Sequence, residues 1–309
     1  MLRSIILSMV MLAAAGAYAG SNEAAQGEAV LTLRVDGELS IDPEGKVADY
    51  RISTKLDPQL ERLVRRAVPS WRFKPILLDG KPVLASTPMR ITLSAEEMKE
   101  GYKVVVDNVV FRPNTRKEWE AEEASRKARP RMSVAGEAPP SMVWITSKSL
   151  RPPSYPPLLQ RAGVEGMVLL TVRVHPDGTV AEVFASQSSL LNVKGSSKQL
   201  DRARLMLERS ATDAAKRWTF TVETEDASPL SAEALTVRLP VEYFMGGPNG
   251  PDKLAGQWRH EFRGPNQQVP WLPAMNGRKI GVSDLTGNEI LAGVSPFALS
   301  DTSVIGKTL

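Results

Sequence analysis

The sequence predicts an α+β fold made from two copies of one small β-β-α-β module, and three ordered recurrences carry that prediction. The stretch Asp42-Pro43-Glu44-Gly45-Lys46-Val47-Ala48 recurs as His175-Pro176-Asp177-Gly178-Thr179-Val180-Ala181. Trp71-Arg72-Phe73 recurs as Trp218-Thr219-Phe220, and Arg90-Ile91-Thr92-Leu93 is answered by Arg238-Leu239-Pro240-Val241. The offsets are 133, 147 and 148 residues, so element order is kept and the second copy carries extra length between its turn and its Trp. Self-similarity in this order marks a duplicated supersecondary unit, and a chain of 309 residues has room for about two domains.

The elements follow in chain order. Arg3, the apolar run from Ile5 to Ala15 and the small-x-small triplet Ala17-Tyr18-Ala19 read as a signal peptide over 1–19, with Gly20 as the new first residue. The alternative is an uncleaved anchor, although the run is shorter than the roughly 20 residues a spanning helix needs. Val30 to Val35 is strand-like, and Asp36-Gly37 signals a tight hairpin. Pro43-Glu44-Gly45 is a turn, because proline presets φ at its first corner and glycine accepts a left-handed backbone at its end. Lys46 to Ser53 alternates as a strand with one buried face. Asp57-Pro58 caps a helix whose Leu60, Leu63, Val64, Ala67 and Trp71 share one face, and Pro69 ends it near Val68. After a turn at Asp79-Gly80, Val83 to Leu93 closes the first module, 29–94.

Residues 95–150 read as a charged connector. Val104 to Phe111 is one more candidate strand, Arg116 to Arg131 has helical character with i,i+4 charge pairs, and Ala135 to Pro140 is open linker. The second module spans 151–245. Leu158 to Ala162 is a short helical turn, Met167 to Val174 and Thr179 to Ala185 are paired strands, and Ser186 to Ser197 is a polar excursion. Leu200, Ala203, Leu207, Ala211, Ala214 and Trp218 form the stripe of a long helix, and Ala234 to Phe244 is the closing strand. Residues 246–309 are rich in Gly and Pro and read as an irregular tail, with a short hairpin or helix around Ile280 to Leu291.

Composition narrows the function. The chain has no cysteine, which removes disulfides, thiolate metal sites and thiol nucleophiles. A net charge of +4 over this length gives no basic face for nucleic acid. His175 and His260 stand apart from any carboxylate set with ligand spacing. No Gly-x-Ser-x-Gly elbow, phosphate loop, dinucleotide fingerprint or His-Glu-x-x-His is present. The reading is therefore not an enzyme, with no catalytic residue, no metal and no cofactor. Trp71 and Trp218 lie in line with apolar stripes and read as core. Arg62, Arg65 and Arg66 read as a solvated helix face. Tyr155-Pro156 either contacts a partner or starts a helix, and the structural role is the simpler one.

These residues carry a family resemblance. Tyr155-Pro156, Gly166, Val174, Asp177-Gly178, Val180, Asp201 and Trp218-x-Phe220 resemble the TonB C-terminal domain family of periplasmic energy transducers. The first copy resembles it through Gly45, Val47, Leu56, Trp71-Arg72-Phe73-Lys74-Pro75 and Gly80, but lacks the Tyr-Pro leader. The second copy has no counterpart of Pro75 after Phe220. The resemblance implies a three-stranded antiparallel sheet in each module, a helix across one face, and a last strand that accepts an extended peptide from an outer-membrane receptor. Pro240 suits an edge position, since proline cannot donate to a central ladder. The candidate partner-binding residues are Leu235, Thr236, Val237, Arg238, Leu239, Val241, Glu242 and Tyr243, and Trp71, Trp218, Gly45, Gly178, Tyr155 and Pro156 are candidate structural residues.

The leading reading is thus a protein-binding module in the periplasm of a Gram-negative bacterium. Its partner is an outer-membrane receptor or another envelope protein, taken up by edge-strand pairing. One alternative is an inner-membrane-anchored energy transducer, and membrane contact belongs to that reading alone. A second is a structural envelope protein whose modules self-associate, as a homodimer for example.

Overall fold

The computed structural model describes residues 27–78, 80–99, 101–111, 132–134, 143–224, 230–245, 255–273, 280–285, 290–292 and 297–309. The signal-peptide, Arg116–Arg131 and Ala135–Pro140 readings lie outside those residues, as does Asp79 of the Asp79-Gly80 turn.

The first half opens with β1 (Glu28–Ile41), which runs straight through Asp36-Gly37. The hairpin reading there is wrong for a packing reason. A Cβ on Gly37 would lie 2.3 Å from the carbonyl oxygen of Arg51, so this glycine serves a close backbone approach and not a turn. The chain reverses at Asp42–Gly45 instead, where Asp42 Oδ1 accepts from the amides of Glu44 (3.0 Å) and Lys46 (2.7 Å). β2 (Val47–Ile52) returns along β1, and α1 (Pro58–Ala67) follows. The Asp57 carboxylate accepts from Gln59 N at 2.8 Å, and Pro58 takes a first-turn position that has no helical acceptor for an N–H. A 3-10 turn, Val68–Ser70, then delivers Trp71. β3 (Ile76–Leu78), β4 (Lys81–Pro82), β5 (Ala85–Met98) and β6 (Gly101–Phe111) complete this half. β7 (Met132–Val134) pairs with β3. Leu33, Val35, Leu39 and Ile41 of β1 pack with Leu60, Val64, Trp71, Phe73, Met89, Ile91 and Leu93 in one core.

In the second half β8 (Val143–Ser149) precedes α2 (Pro157–Arg161), β9 (Glu165–Val174), β10 (Val180–Leu191), α3 (Ser197–Ala215), β11 (Thr219–Thr224) and β12 (Thr236–Tyr243). β8 lies in what reads as connector and pairs with β11. The polar run Ser186 to Ser189 is strand, not excursion. It is buried because residues further on supply its partners: Gly264 N and Gln267 N donate to the carbonyls of Ser188 (2.9 Å) and Ser186 (2.8 Å). Gln187 likewise donates to Gly264 O at 2.9 Å. Val168, Leu170 and Val172 of β9 pack with Leu207, Ala211, Trp218, Phe220, Val237, Leu239 and Val241 in a second core.

The largest correction concerns 246–309. Two of its segments are built into the sheet. β13 (Arg259–Arg263) pairs antiparallel with β1 on one side and with β10 on the other, and β14 (Leu291–Ala292) pairs with β12. The result is one mostly antiparallel nine-stranded sheet in the order β14-β12-β9-β10-β13-β1-β5-β6, with β2 also on β1. Instead of two separate three-stranded sheets, the halves share a ladder through β13. The C-terminal residues finish the other end: Leu309 N donates to Val104 O at 3.0 Å, and Val106 N to Lys307 O at 3.1 Å, both on β6.

Between the halves the tail docks on a buried polar network. Asp284 is 1% exposed, and its carboxylate accepts from Thr92 Oγ1, Asn108 Nδ2 and Gly281 N. Arg90 joins it by donating to Asp284 O (2.7 Å) and Asp36 Oδ1 (2.6 Å). Burial pushes the Asp284 carboxyl above the ordinary carboxylate range, against the three donors.

Candidate partner-binding edge

A strand edge accepts another chain only where its outward N–H and C=O groups are unused. The corresponding strands of the two halves, β5 and β12, differ here. The outer side of β5 is paired along most of its length with β6, from Met89↔Phe111 to Met98↔Gly101. The outer side of β12 meets only Leu291 and Ala292 among the described residues, opposite Arg238 and Val237.

β12 alternates as its sequence predicts. Val174 N donates to Leu235 O at 2.8 Å. In an antiparallel ladder this parity turns the backbone groups of 235, 237, 239, 241 and 243 towards β9 and those of 236, 238, 240 and 242 outward. Pro240 therefore costs the β9 ladder nothing. Thr236 N already donates to Glu233 O at 3.1 Å. Arg238 lies opposite Leu291 of β14 on this outer side.

The side chains of β12 divide by face. Val237, Leu239, Val241 and Tyr243 join the core beneath α3, and Tyr243 Oη donates to Leu207 O at 3.1 Å. Burial pushes the Tyr243 hydroxyl up to about 12. On the other face Thr236 Oγ1 accepts from Trp271 Nε1 at 3.0 Å. Arg238 is buried, which lowers its pKa, while the Glu233 charge acts in the opposite sense. Glu242 is half-buried and Leu235 is buried. The side chains of the strand are therefore largely enclosed. The free edge implied by the resemblance is instead occupied at Val237 and Arg238 by the chain's own β14, which contributes Leu291 to an apolar cluster.

The residues read as structural make the following contacts. Tyr155 stacks edge-on against Tyr243 at 5.3 Å, and its hydroxyl donates to Val164 O. Burial raises the Tyr155 pKa, and the Glu165 charge adds to the shift. Pro156 occupies the N-cap position of α2. Trp218 is 4% exposed and its Nε1 donates to Arg151 O at 2.8 Å; Trp71 is 2% exposed. Gly45 and Gly178 have φ of +81° and +86°, and a Cβ there would lie 2.2 and 2.0 Å from the carbonyls of Phe73 and Phe220. The amides of Phe73 and Phe220 in turn donate to the carbonyls of Gly45 and Gly178, each at 2.8 Å. Sequence reading expected a short hairpin or helix around Ile280 to Leu291, where the structure has a 3-10 turn at Val282–Asp284, but it did not foresee the pairing of β14 with β12. The signal available was the apolar pair Ile290-Leu291 after a polar stretch.

Among the described residues no group of His, Cys, Asp and Glu is placed to hold a metal ion, and no helix is long and apolar enough to cross a membrane.

Comparison with known proteins agrees with the geometry. The family model described as Gram-negative bacterial TonB protein C-terminal matches this chain twice, over residues 31–93 and 151–243. The chain is also similar to Protein TonB of two Xanthomonas campestris pv. campestris strains, B100 and ATCC 33913. Each is 37% identical over 103 residues, which are 33% of this chain and 39% of the relative. The chain thus matches about two-fifths of the length of these curated relatives. No solved structure matches.

Proposed function

The chain belongs to the family of Gram-negative bacterial TonB protein C-terminal domains, whose model covers half of it in two segments, and from this premise we propose that it is a non-catalytic protein-binding module of the cell envelope. It works in the periplasm and takes up an extended segment of an outer-membrane receptor or another envelope protein by pairing along the outer side of β12. We further infer that the two matched segments are copies of one β-β-α-β module. The paired docking of Gly45 on Phe73 and Gly178 on Phe220 supports that inference.

The observation that carries the binding reading is the asymmetry of the two outer edges. A full strand closes β5, whereas among the described residues two stand against β12. Backbone pairing supplies much of the affinity in strand addition, and neighbouring side chains set which segment fits. The relatives are named Protein TonB, which favours a receptor as partner over a second copy of this chain.

The test is titration of receptor-derived extended peptides into the full chain, read by backbone amide resonances. Binding that perturbs β12 supports the reading, and binding confined to β5 and β6 rejects it. Membrane extraction and N-terminal sequencing separate this reading from an anchored transducer: a soluble chain beginning at Gly20 supports a cleaved periplasmic protein. Concentration-dependent dimers that resist receptor peptides would support the self-associating alternative.

A further inference from the structure

We propose that the outer side of β10 from Val180 to Ala185 is a second docking edge. It takes an extended segment of a partner protein in which acidic residues alternate with aromatic or branched aliphatic ones. The proposal does not depend on the reading of β12.

The edge continues a ladder that the chain fills only in part. β13 pairs with β10 from Leu191↔Glu261 to Ser189↔Arg263. Gly264 N and Gln267 N then bond to the carbonyls of Ser188 and Ser186. The chain leaves the ladder before Pro270, which has no N–H to give. Among the described residues no backbone bond is made to the outer side of β10 between Val180 and Ala185. The pairing with β9 sets which groups face out there. Val174 N bonds to Leu235 O on β12, so Thr171 and Arg173 face β10, opposite Phe184 and Glu182. Val183 and Ala185 therefore turn their N–H and C=O groups outward, at the two-residue spacing a partner strand needs.

A groove of about 480 Å³ lies along this edge. Five consecutive residues, Val180 to Phe184, line it. Successive side chains of a strand point to opposite faces, so only a groove along the backbone edge meets all five. Its two walls differ. Val183 and Ala185 pack beneath α3, and Lys216, the C-cap of α3, lines the groove on that face. Phe184 lies on the other face, edge-on to Trp271 at 6.5 Å, and Trp271 is held by its bond to Thr236 Oγ1.

These walls set the chemistry of the occupant. An incoming strand sends one side chain to the Phe184–Trp271 wall, which suits an aromatic or branched aliphatic group, and the next to the Lys216 wall. Lys216 pairs with Asp213 at 2.9 Å. The hydrogen bond and charge of Lys216 hold the Asp213 carboxyl below its ordinary range, and Arg209 and Arg217 add to this. Three cations around one carboxylate leave this wall positive, which suits an acidic residue. Glu182 does not oppose it, because Arg173 Nε neutralises its carboxylate at 2.6 Å.

The experiment uses the full chain. The probe is the labelled synthetic hexapeptide Glu-Val-Glu-Phe-Glu-Val, followed by fluorescence anisotropy and by backbone amide resonances. We expect it to bind and to shift the Val183 and Ala185 amides, and its Lys-for-Glu counterpart to bind about tenfold more weakly. Val183→Pro removes one outward donor and leaves the inward bonds of Glu182 and Phe184, so binding should weaken about tenfold. Should that variant not fold, Lys216→Glu decides, since this side chain is 64% exposed. It should weaken binding about threefold, and less at high salt. No binding, equal binding of the acidic and basic peptides, or no loss in a folded variant overturns the proposal. Concentration-dependent dimers that shift the same amides without peptide assign the edge to a second copy and also overturn it. Peptide shifts along β12 with none on β10 overturn this inference and leave the reading of β12 standing.

Discussion

The two segments that match the family model differ at their outer edges. In the first, the chain turns at Gly101 and lays β6 along β5, and the C-terminal residues then bond to β6 at Val104 and Val106. In the second, β12 is met, among the described residues, by Leu291 and Ala292. The interiors, by contrast, share features. Each has a buried Trp after its helix, a left-handed glycine pressed on the backbone of the Trp-x-Phe segment, and apolar β-strand residues beneath the helix. If the proposed duplication holds, the difference between the halves lies at their rims, where β5 is covered by β6 and β12 by β14.

The comparison can be broken most forcefully at the shared interior. Trp71→Ala and Trp218→Ala should each cost about 3–5 kcal/mol, the range for deleting a large buried aromatic. Urea unfolding followed by circular dichroism measures this. A large loss at Trp71 with none at Trp218 would show that the second Trp is not core. Next come the turn glycines. Gly45→Ala and Gly178→Ala each force a left-handed backbone, worth roughly 1–2 kcal/mol, and press a methyl group on a carbonyl. Equal drops in urea midpoint are expected, and unequal drops would deny the equivalence of the two turns.

The buried network around Asp284 is a third target. Asp284→Ala strips Thr92 and Asn108 of a buried acceptor. It should cost about 1–3 kcal/mol. Faster exchange of amides along β13, with the β9–β12 ladder unchanged, is the expected pattern. The smallest effect separates the helices. α1 has 10 residues and depends on the Asp57 cap, whereas α3 has 19 residues. Asp57→Ala should cost about 1 kcal/mol, confined to amides of α1.

Much of each module was legible because its signals are local. The Pro43 and Pro176 turns, the Asp57-Pro58 cap and the alternation of Leu235 to Tyr243 all act within a few residues, and the structure places turns, helix and strand there. What escaped the sequence depends on distant partners. Ser186 to Ser189 reads as loop until Gly264 and Gln267 arrive to satisfy it. β13 and β14 are too short for a hydrophobic period, and their pairing partners lie far along the chain. Gly37 carries a turn signature but is used for close packing beneath Arg51. The candidate binding strand was therefore visible, and the segment lying against it was not.

The central claim is that the edge of β12, and not that of β5, takes up a partner. Amide hydrogen exchange with and without a receptor-derived extended peptide tests it most directly. The account predicts that amides along β12 gain protection when peptide is added, while the amides of β5 and β6 do not change. No change along β12, or new protection confined to β5 and β6, would contradict it.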